Sequence, residues 1–313
     1  MSKAILQNMC ETIKQNEYVW MLYFLKIDRR SKQQPYKAYK VRFKNDNYLP
    51  TYATNLLYAI NKYQIDSVSE VQEYDGENTK VTCDKLSLNN PLISAQWNNL
   101  VQCVIASSDH KIEGKLNGYI LVGKPINQEL KSVTFVKVAN PITKLTNKRS
   151  VIFSTTADDE LDLITDDVCR LYLTVDFVII DETMYTFNHT FETLFDIQKT
   201  MAKVKIASIE DIMGTEAISN ANDFKTYALK YKSARTFITL KEERVNRIKD
   251  RRSRRKVAEI LNLQLDENGE FIINTSDEAS LLIRYLCYKV FQDLETRDVL
   301  EASTITKLNI VRS

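Results

Sequence analysis

Leu171–Asn188 reads LYLTVDFVIIDETMYTFN. The first ten residues, rich in β-branched and aromatic types, predict a strand; Asp181-Glu182-Thr183 makes a tight connection; Met184–Asn188 is the return strand. A helical pattern follows at once, with Thr190 as its N-cap and Phe191, Leu194, Phe195, Met201 and Val204 on one face. A hairpin running straight into a helix sets the fold class as α+β, with mixed helices and antiparallel sheets in two packed halves. The run VIIDE superficially resembles the strand-end acid pair of an ATPase. That chemistry needs a GxxxxGK[ST] loop, which the sequence lacks, so Asp181 and Glu182 read as turn residues.

Toward the N-terminus, Asp158–Asp167 is an acidic run with six carboxylates. It has no glycine-marked calcium-loop spacing and reads as an exposed turn or helix start. Asn140–Ser150, NPITKLTNKRS, is polar and proline-marked, and the sequence places a domain boundary there, between 1–140 and 150–313. Gly118–Gly123 and Val133–Val138 read as two strands. Asn90-Pro91 reads as an N-cap and first-turn proline. Behind it, Ile93, Trp97, Leu100, Val101 and Val104 recur at helical spacing, read as core rather than as a binding groove. Leu49–Tyr63 reads as a helix with Pro50 in its first turn, Tyr36–Phe43 as a half-buried strand, and Tyr18–Ile27 as a buried one.

Toward the C-terminus lies Lys241–Lys256, KEERVNRIKDRRSRRK. Nine basic and three acidic residues give it a charge of +6, whereas the whole chain carries +2, so the remainder sums to −4. Such concentration marks a polyanion-binding element; the plainer alternative is a solvated charged helix. At about 100° per residue, Arg244, Arg247, Arg251, Arg254 and Arg255 share one stripe. Lys249, Arg252 and Lys256 form a second basic line, and Val245, Ile248, Val257, Ile260 and Leu261 supply apolar anchors. A helix basic all round cannot be buried unpaired, so it should project or break near Asp250–Ser253. The arginine fork suits phosphates and base edges. The candidate DNA-binding residues are therefore Lys241, Arg244, Arg247, Lys249, Arg251, Arg252, Arg254, Arg255 and Lys256. Reversing Arg247, Arg251 and Arg254 is expected to abolish DNA binding and leave the fold intact. Beyond them, Asn268-Gly269 is a hairpin turn inside LNLQLDENGEFII. Thr275-x-x-Glu278 is a capping box opening a helix through Leu286. LEASTITKLNIVR reads as a final strand.

Composition narrows the function classes. The 313 residues are 44% hydrophobic and 27% charged, with six glycines and five prolines, which describes a globular chain with little low-complexity sequence. No apolar stretch reaches the roughly 18–20 residues of a membrane span, and the N-terminus has no signal-peptide core. Five scattered cysteines without a CxxC suggest neither zinc nor a disulfide framework, and read mostly as buried small hydrophobes. With only His110 and His189, no Ser-His-Asp or Cys-His motif is recognisable, and His189 reads as a cap or turn residue. Glu113-x-Lys115 with Asp109 offers a metal-dependent nuclease alternative, weakened by its short spacing and an intervening glycine. No cofactor is expected.

The order FVIIDETMYTFN, FETLFDI, the charged helix, LQLDENGEFII, SLLIRYL and EASTITKL resembles component B of the Kiwa anti-phage defence system, the KwaB-like family, over roughly Val151–Leu308. The resemblance implies a DNA-binding effector acting with a transmembrane component A. The expectations are a non-catalytic homodimer that captures phage DNA through backbone contacts and is held at the cytoplasmic face of the inner membrane by its partner. The helix followed by a hairpin resembles a winged-helix arrangement. The remaining alternatives are the nuclease, or an adaptor whose basic stretch binds an acidic protein or anionic lipid.

Overall fold

Ten consecutive residues without glycine or proline, Tyr18–Ile27, form the longest described strand of the computed structural model, as the sequence predicts, but only Leu22, Tyr23, Phe24 and Leu25 are buried and Val19 is exposed. The structure describes residues 3–29, 31, 35–74, 76, 82–107, 115–143, 153–155, 161–163, 168–231, 234–240, 242–292 and 299–301. The chain forms two compact units, Met1–Glu73 with Asn78–Asp196, and Tyr74–Glu77 with Ile197–Ser313.

In the first unit the helices are α1 (Ala4–Gln15), α2 (Tyr48–Ala59, continued by a π-turn over Ile60–Ile65), α3 (Ser94–Ile105) and α4 (Thr190–Leu194). The strands are β1 (Tyr18–Ile27), β2 (Tyr36–Lys40), β3 (Glu70–Glu73), β4 (Thr82–Ser87), β5 (Gly118–Pro125), β6 (Val133–Lys137), β7 (Ile142–Thr143), β8 (Phe153–Thr155), β9 (Leu161–Leu163), β10 (Val168–Cys169), β11 (Phe177–Ile180) and β12 (Thr183–Thr186). Eight of them make one sheet in the order β2-β1-β5-β6-β11-β12-β4-β3. All its pairings are antiparallel except β3–β4. Alternating residues Leu22, Phe24, Leu121, Phe135 and Val178 turn one face onto α1 and α2 and form the core with Leu6, Cys10, Ala53 and Leu56. The α+β reading holds.

The boundary placed at 140–150 does not match these units. β11 pairs with β6 on one side and β12 pairs with β4 on the other, so the LYLTVDFVII–MYTFN hairpin closes the N-terminal sheet. The chain leaves that unit after Asp196, where φ is +51. This left-handed residue also breaks the helix expected to run unbroken from Thr190: α4 ends at Leu194 and a new helix starts at Ile197. The N-cap position is His189, one residue earlier than expected. Near α3, Asn90 accepts from the Leu92 N–H at 2.9 Å in a local turn, and the helix starts only at Ser94. Ile93 and Leu100 are buried as expected, but Trp97, Val101 and Val104 are only half-buried and line a cleft.

The second unit holds α5 (Ile197–Met213), α6 (Ala221–Lys230), a 3-10 turn (Ala234–Thr239), α7 (Glu242–Arg247), α8 (Arg251–Leu261), β13 (Gln264–Leu265), β14 (Phe271–Ile272), α9 (Ser276–Leu286), β15 (Val290–Gln292) and β16 (Val299–Glu301). Its core joins Ile212, Phe224, Phe237, Ile248, Leu261, Phe271 and Leu282. The capping box is present: Thr275 Oγ1 accepts from Glu278 N at 3.2 Å, and Thr275 N donates to Glu278 Oε2 at 3.2 Å. Four cysteines are buried and Cys169 is exposed. Burial pushes the thiols of Cys10, Cys83 and Cys287 up to about 12. Asp109, His110, Glu113, most of the acidic run and most of the expected final strand lie outside the described residues.

Candidate nucleic-acid interface

The basic stretch is two helices, the break being one of the two outcomes its charge pattern predicts. α7 stops at Arg247, and α8 restarts at Arg251 behind Asp250, whose carboxylate accepts from Ser253 N at 2.7 Å. That N-cap bond holds the Asp250 carboxyl below its ordinary value. The break falls where basic residues would otherwise have to be buried on every side. Val245, Ile248, Val257 and Leu261 anchor both pieces, as expected.

The break redistributes the nine predicted residues. Lys241 lies outside the described residues. Arg254 is only 8% exposed. Its Nε donates to Gly269 O at 2.7 Å, and one terminal nitrogen donates to the carbonyls of Ile248 (3.0 Å) and Lys249 (3.1 Å). These carbonyls trail from the end of α7, where helices leave acceptors unsatisfied and partial charge is negative. Arg254 therefore ties α7, α8 and the hairpin together. The sequence expects Arg254 on an exposed stripe; its guanidinium is instead buried on these carbonyls, and reversing its charge would leave them without their donor. Arg244 is half-buried, with its guanidinium 4.8 Å from the Tyr285 ring and 3.9 Å from the Tyr288 ring. This cation–π stack holds α7 to the end of α9 and makes Arg244 an internal contact.

Six bases face solvent. Arg247 pairs with Glu243 at 2.6 Å, and Arg251 donates to Glu267 O at 2.9 Å. Lys249, Arg252, Arg255 and Lys256 are exposed and have no ion-pair partner among the described residues. On α8 the buried residues Arg254, Val257, Ala258 and Leu261 occupy one side. At about 100° per residue, Arg251, Arg255, Glu259, Arg252 and Lys256 spread over the opposite side. The outer face thus carries four cations and one acid.

The hairpin behind α8 turns through Asp266–Glu270, with Gly269 at φ +77. Asp266 uses its carboxylate on Glu270 N at 2.8 Å. The turn residues Asp266, Glu267 and Glu270 are acids, so the hairpin tip would repel phosphates, unlike the wing of the arrangement it resembles.

The first unit contains a buried charge cluster that the sequence does not announce. His189 Nε2 lies 2.8 Å from Asp84 Oδ2, and Nδ1 lies 3.0 Å from Glu192 Oε1. Asp84 also accepts from Gln72 at 2.9 Å. Burial alone would lower the imidazole value, but hydrogen bonds to the two carboxylates outweigh it and raise it to about 9. His189 is thus an imidazolium at neutral pH. Beside it, Asp176 accepts from Lys137 Nζ at 3.0 Å, Val138 N at 2.6 Å and Asn188 Nδ2 at 2.8 Å. No group of metal-ligating side chains able to hold an ion occurs among the described residues.

The molecule is therefore an α+β protein with one unit on an eight-stranded sheet and another that presents an arginine-faced helix and hairpin. The chain belongs to the Kiwa protein KwaB-like family, whose model matches residues 115–290, more than half of its length. The match begins just before β5 and contains the sheet's centre, the basic helices and the capping box. It connects the chain with Kiwa anti-phage defence and with other components of that system. No curated protein and no solved structure matches. No described helix is long and apolar enough to cross a membrane.

Proposed function

We propose that this chain captures DNA for a Kiwa defence complex through the outer face of α8 and does not cut it. The observation that carries the reading is the set Arg252, Arg255 and Lys256 on a helix rooted by Arg254, with Lys249 in the turn just before it, all exposed and without ion-pair partners among the described residues. Unpaired cations on a fixed helix can replace condensed counterions on a duplex, which gives affinity without base preference. Arg247 and Arg251 can join once they release their present partners. The acidic hairpin tip favours an approach along the helix face rather than over the turn.

In this reading the chain acts as a homodimer and is held at the membrane by the transmembrane Kiwa component A. Family membership supports such company, and sedimentation of the chain alone and with that component measures both. DNA capture is tested by titrating a duplex across salt with and without magnesium while following cleavage, and by competing the duplex with anionic vesicles. Saturable, salt-sensitive binding with intact DNA is the expected result. Magnesium-dependent cutting lost in Glu113→Ala would establish the nuclease alternative. Vesicles that displace DNA at equal charge would favour the adaptor.

A further inference from the structure

We propose that the cleft between α3 and the sheet is a binding site for an anionic amphiphile, a single acyl chain ending in a carboxylate. The sheet face opposite the main core is formed by β1, β5 and β6, and adjacent strands place Met21 against Val122, Val122 against Thr134 and Tyr23 against Ile120. α3 crosses this face without sealing it. Trp97, Val101 and Val104 stay half-buried above a space of about 550 Å³, within the size range of small-ligand sites. The mouth carries Ile105, which is 71% exposed at the end of its helix.

The polar groups around this apolar space have one sign. Lys40 and Lys124 line it, no carboxylate does, and neither lysine has an acid partner among the described residues. Tyr23 and Lys40 sit directly opposite each other across the β1–β2 pair. Side chains so paired start about 5 Å apart, so the hydroxyl and the ammonium can converge on one anionic group. Tyr23 is a buried residue whose hydroxyl, in a part-buried contact, donates to Met21 Sδ at 3.4 Å, a weak acceptor that a carboxylate would readily replace. Lys124 is four positions away along β1, opposite Val19, and adds positive potential from the other side. An apolar body and one acidic head satisfy both parts of the cleft; a neutral lipid would leave the cations unanswered, and a compact polar anion would leave the apolar walls wet.

The test uses the full chain with anilinonaphthalene sulfonate as a fluorescent probe, displaced by oleate or by oleyl alcohol. Oleate is expected to displace the probe competitively at micromolar concentration, and the alcohol to do so about tenfold less well, the equivalent of 1.4 kcal/mol. Lys40→Glu, an exposed substitution, should weaken oleate about tenfold or more and leave the alcohol unchanged. Tyr23→Phe should weaken oleate by a smaller factor, and Val101→Phe should fill the space and remove both ligands. Equal displacement by oleate and the alcohol would overturn the proposal. So would unchanged oleate affinity in Lys40→Glu, or no saturable displacement by oleate below its micelle concentration.

Discussion

Arg254 Nε donates to Gly269 O at 2.7 Å across fifteen positions of sequence, so an arginine from the most basic stretch of the chain is spent on holding a hairpin. The same guanidinium takes the Ile248 and Lys249 carbonyls. Replacing it with alanine leaves three carbonyls short of a donor, two of them in buried contacts. The expected cost is about 3 kcal/mol, because charged hydrogen bonds of this kind are costly to break from one side. Urea denaturation of Arg254→Ala beside Arg255→Ala measures this, and the exposed Arg255 should change stability by no more than about 0.5 kcal/mol. Equal stability of the two variants would contradict the structural role of Arg254.

Gly269 holds the acceptor in place. Its φ is +77, and a Cβ there would sit 2.9 Å from Arg251 Nε. Gly269→Ala should cost about 1 kcal/mol from the left-handed backbone. Arg251 can swing aside, so the penalty should stay well below that of Arg254→Ala. A stabilised Gly269→Ala protein would show that this turn is not held in the conformation described.

His189 makes stability depend on pH in a defined direction. Its folded value of about 9 lies above the ordinary 6.5, so the imidazolium bridge between Asp84 and Glu192 contributes fully below about pH 6.5 and fades as pH rises through 9. The contribution is on the order of 3 kcal/mol. Denaturation from pH 6 to about pH 10 should show this loss. His189→Gln should flatten that dependence and lower stability at neutral pH, since two buried carboxylates lose their cation. A wild-type stability that rises across that range would contradict the assignment.

Short-range chemistry was legible in the sequence. The Thr275–Glu278 capping box, the Asn268-Gly269 turn and β1 all depend on residues within a few positions of one another, and all formed as read. What escaped depends on partners that only the fold supplies. A break near Asp250 is legible in the charge pattern, but Arg254 turning inward is not, because one of the carbonyls it meets is in place only once the hairpin is made. Asp196 carries no glycine to announce its positive φ, so an unbroken apolar pattern concealed the place where the first unit ends. Asp84 lies 105 positions from His189, beyond the reach of any local pattern. The Trp97–Val104 face was read as core because helical spacing shows that residues share a side, not that the side is covered.

The central claim is that the outer face of α8 meets DNA, and one paired measurement tests it most directly. Arg252→Glu, Arg255→Glu and Lys256→Glu are combined in one protein, and melting temperature and duplex affinity across salt are measured beside the wild type. All three are exposed, and Arg254 is left in place, so the melting temperature should be unchanged. Affinity should fall sharply, and the magnitude of the salt slope should drop by about 0.9 for each phosphate contact removed. A triple variant that melts like the wild type and binds duplex DNA with the same affinity and the same slope would contradict the account.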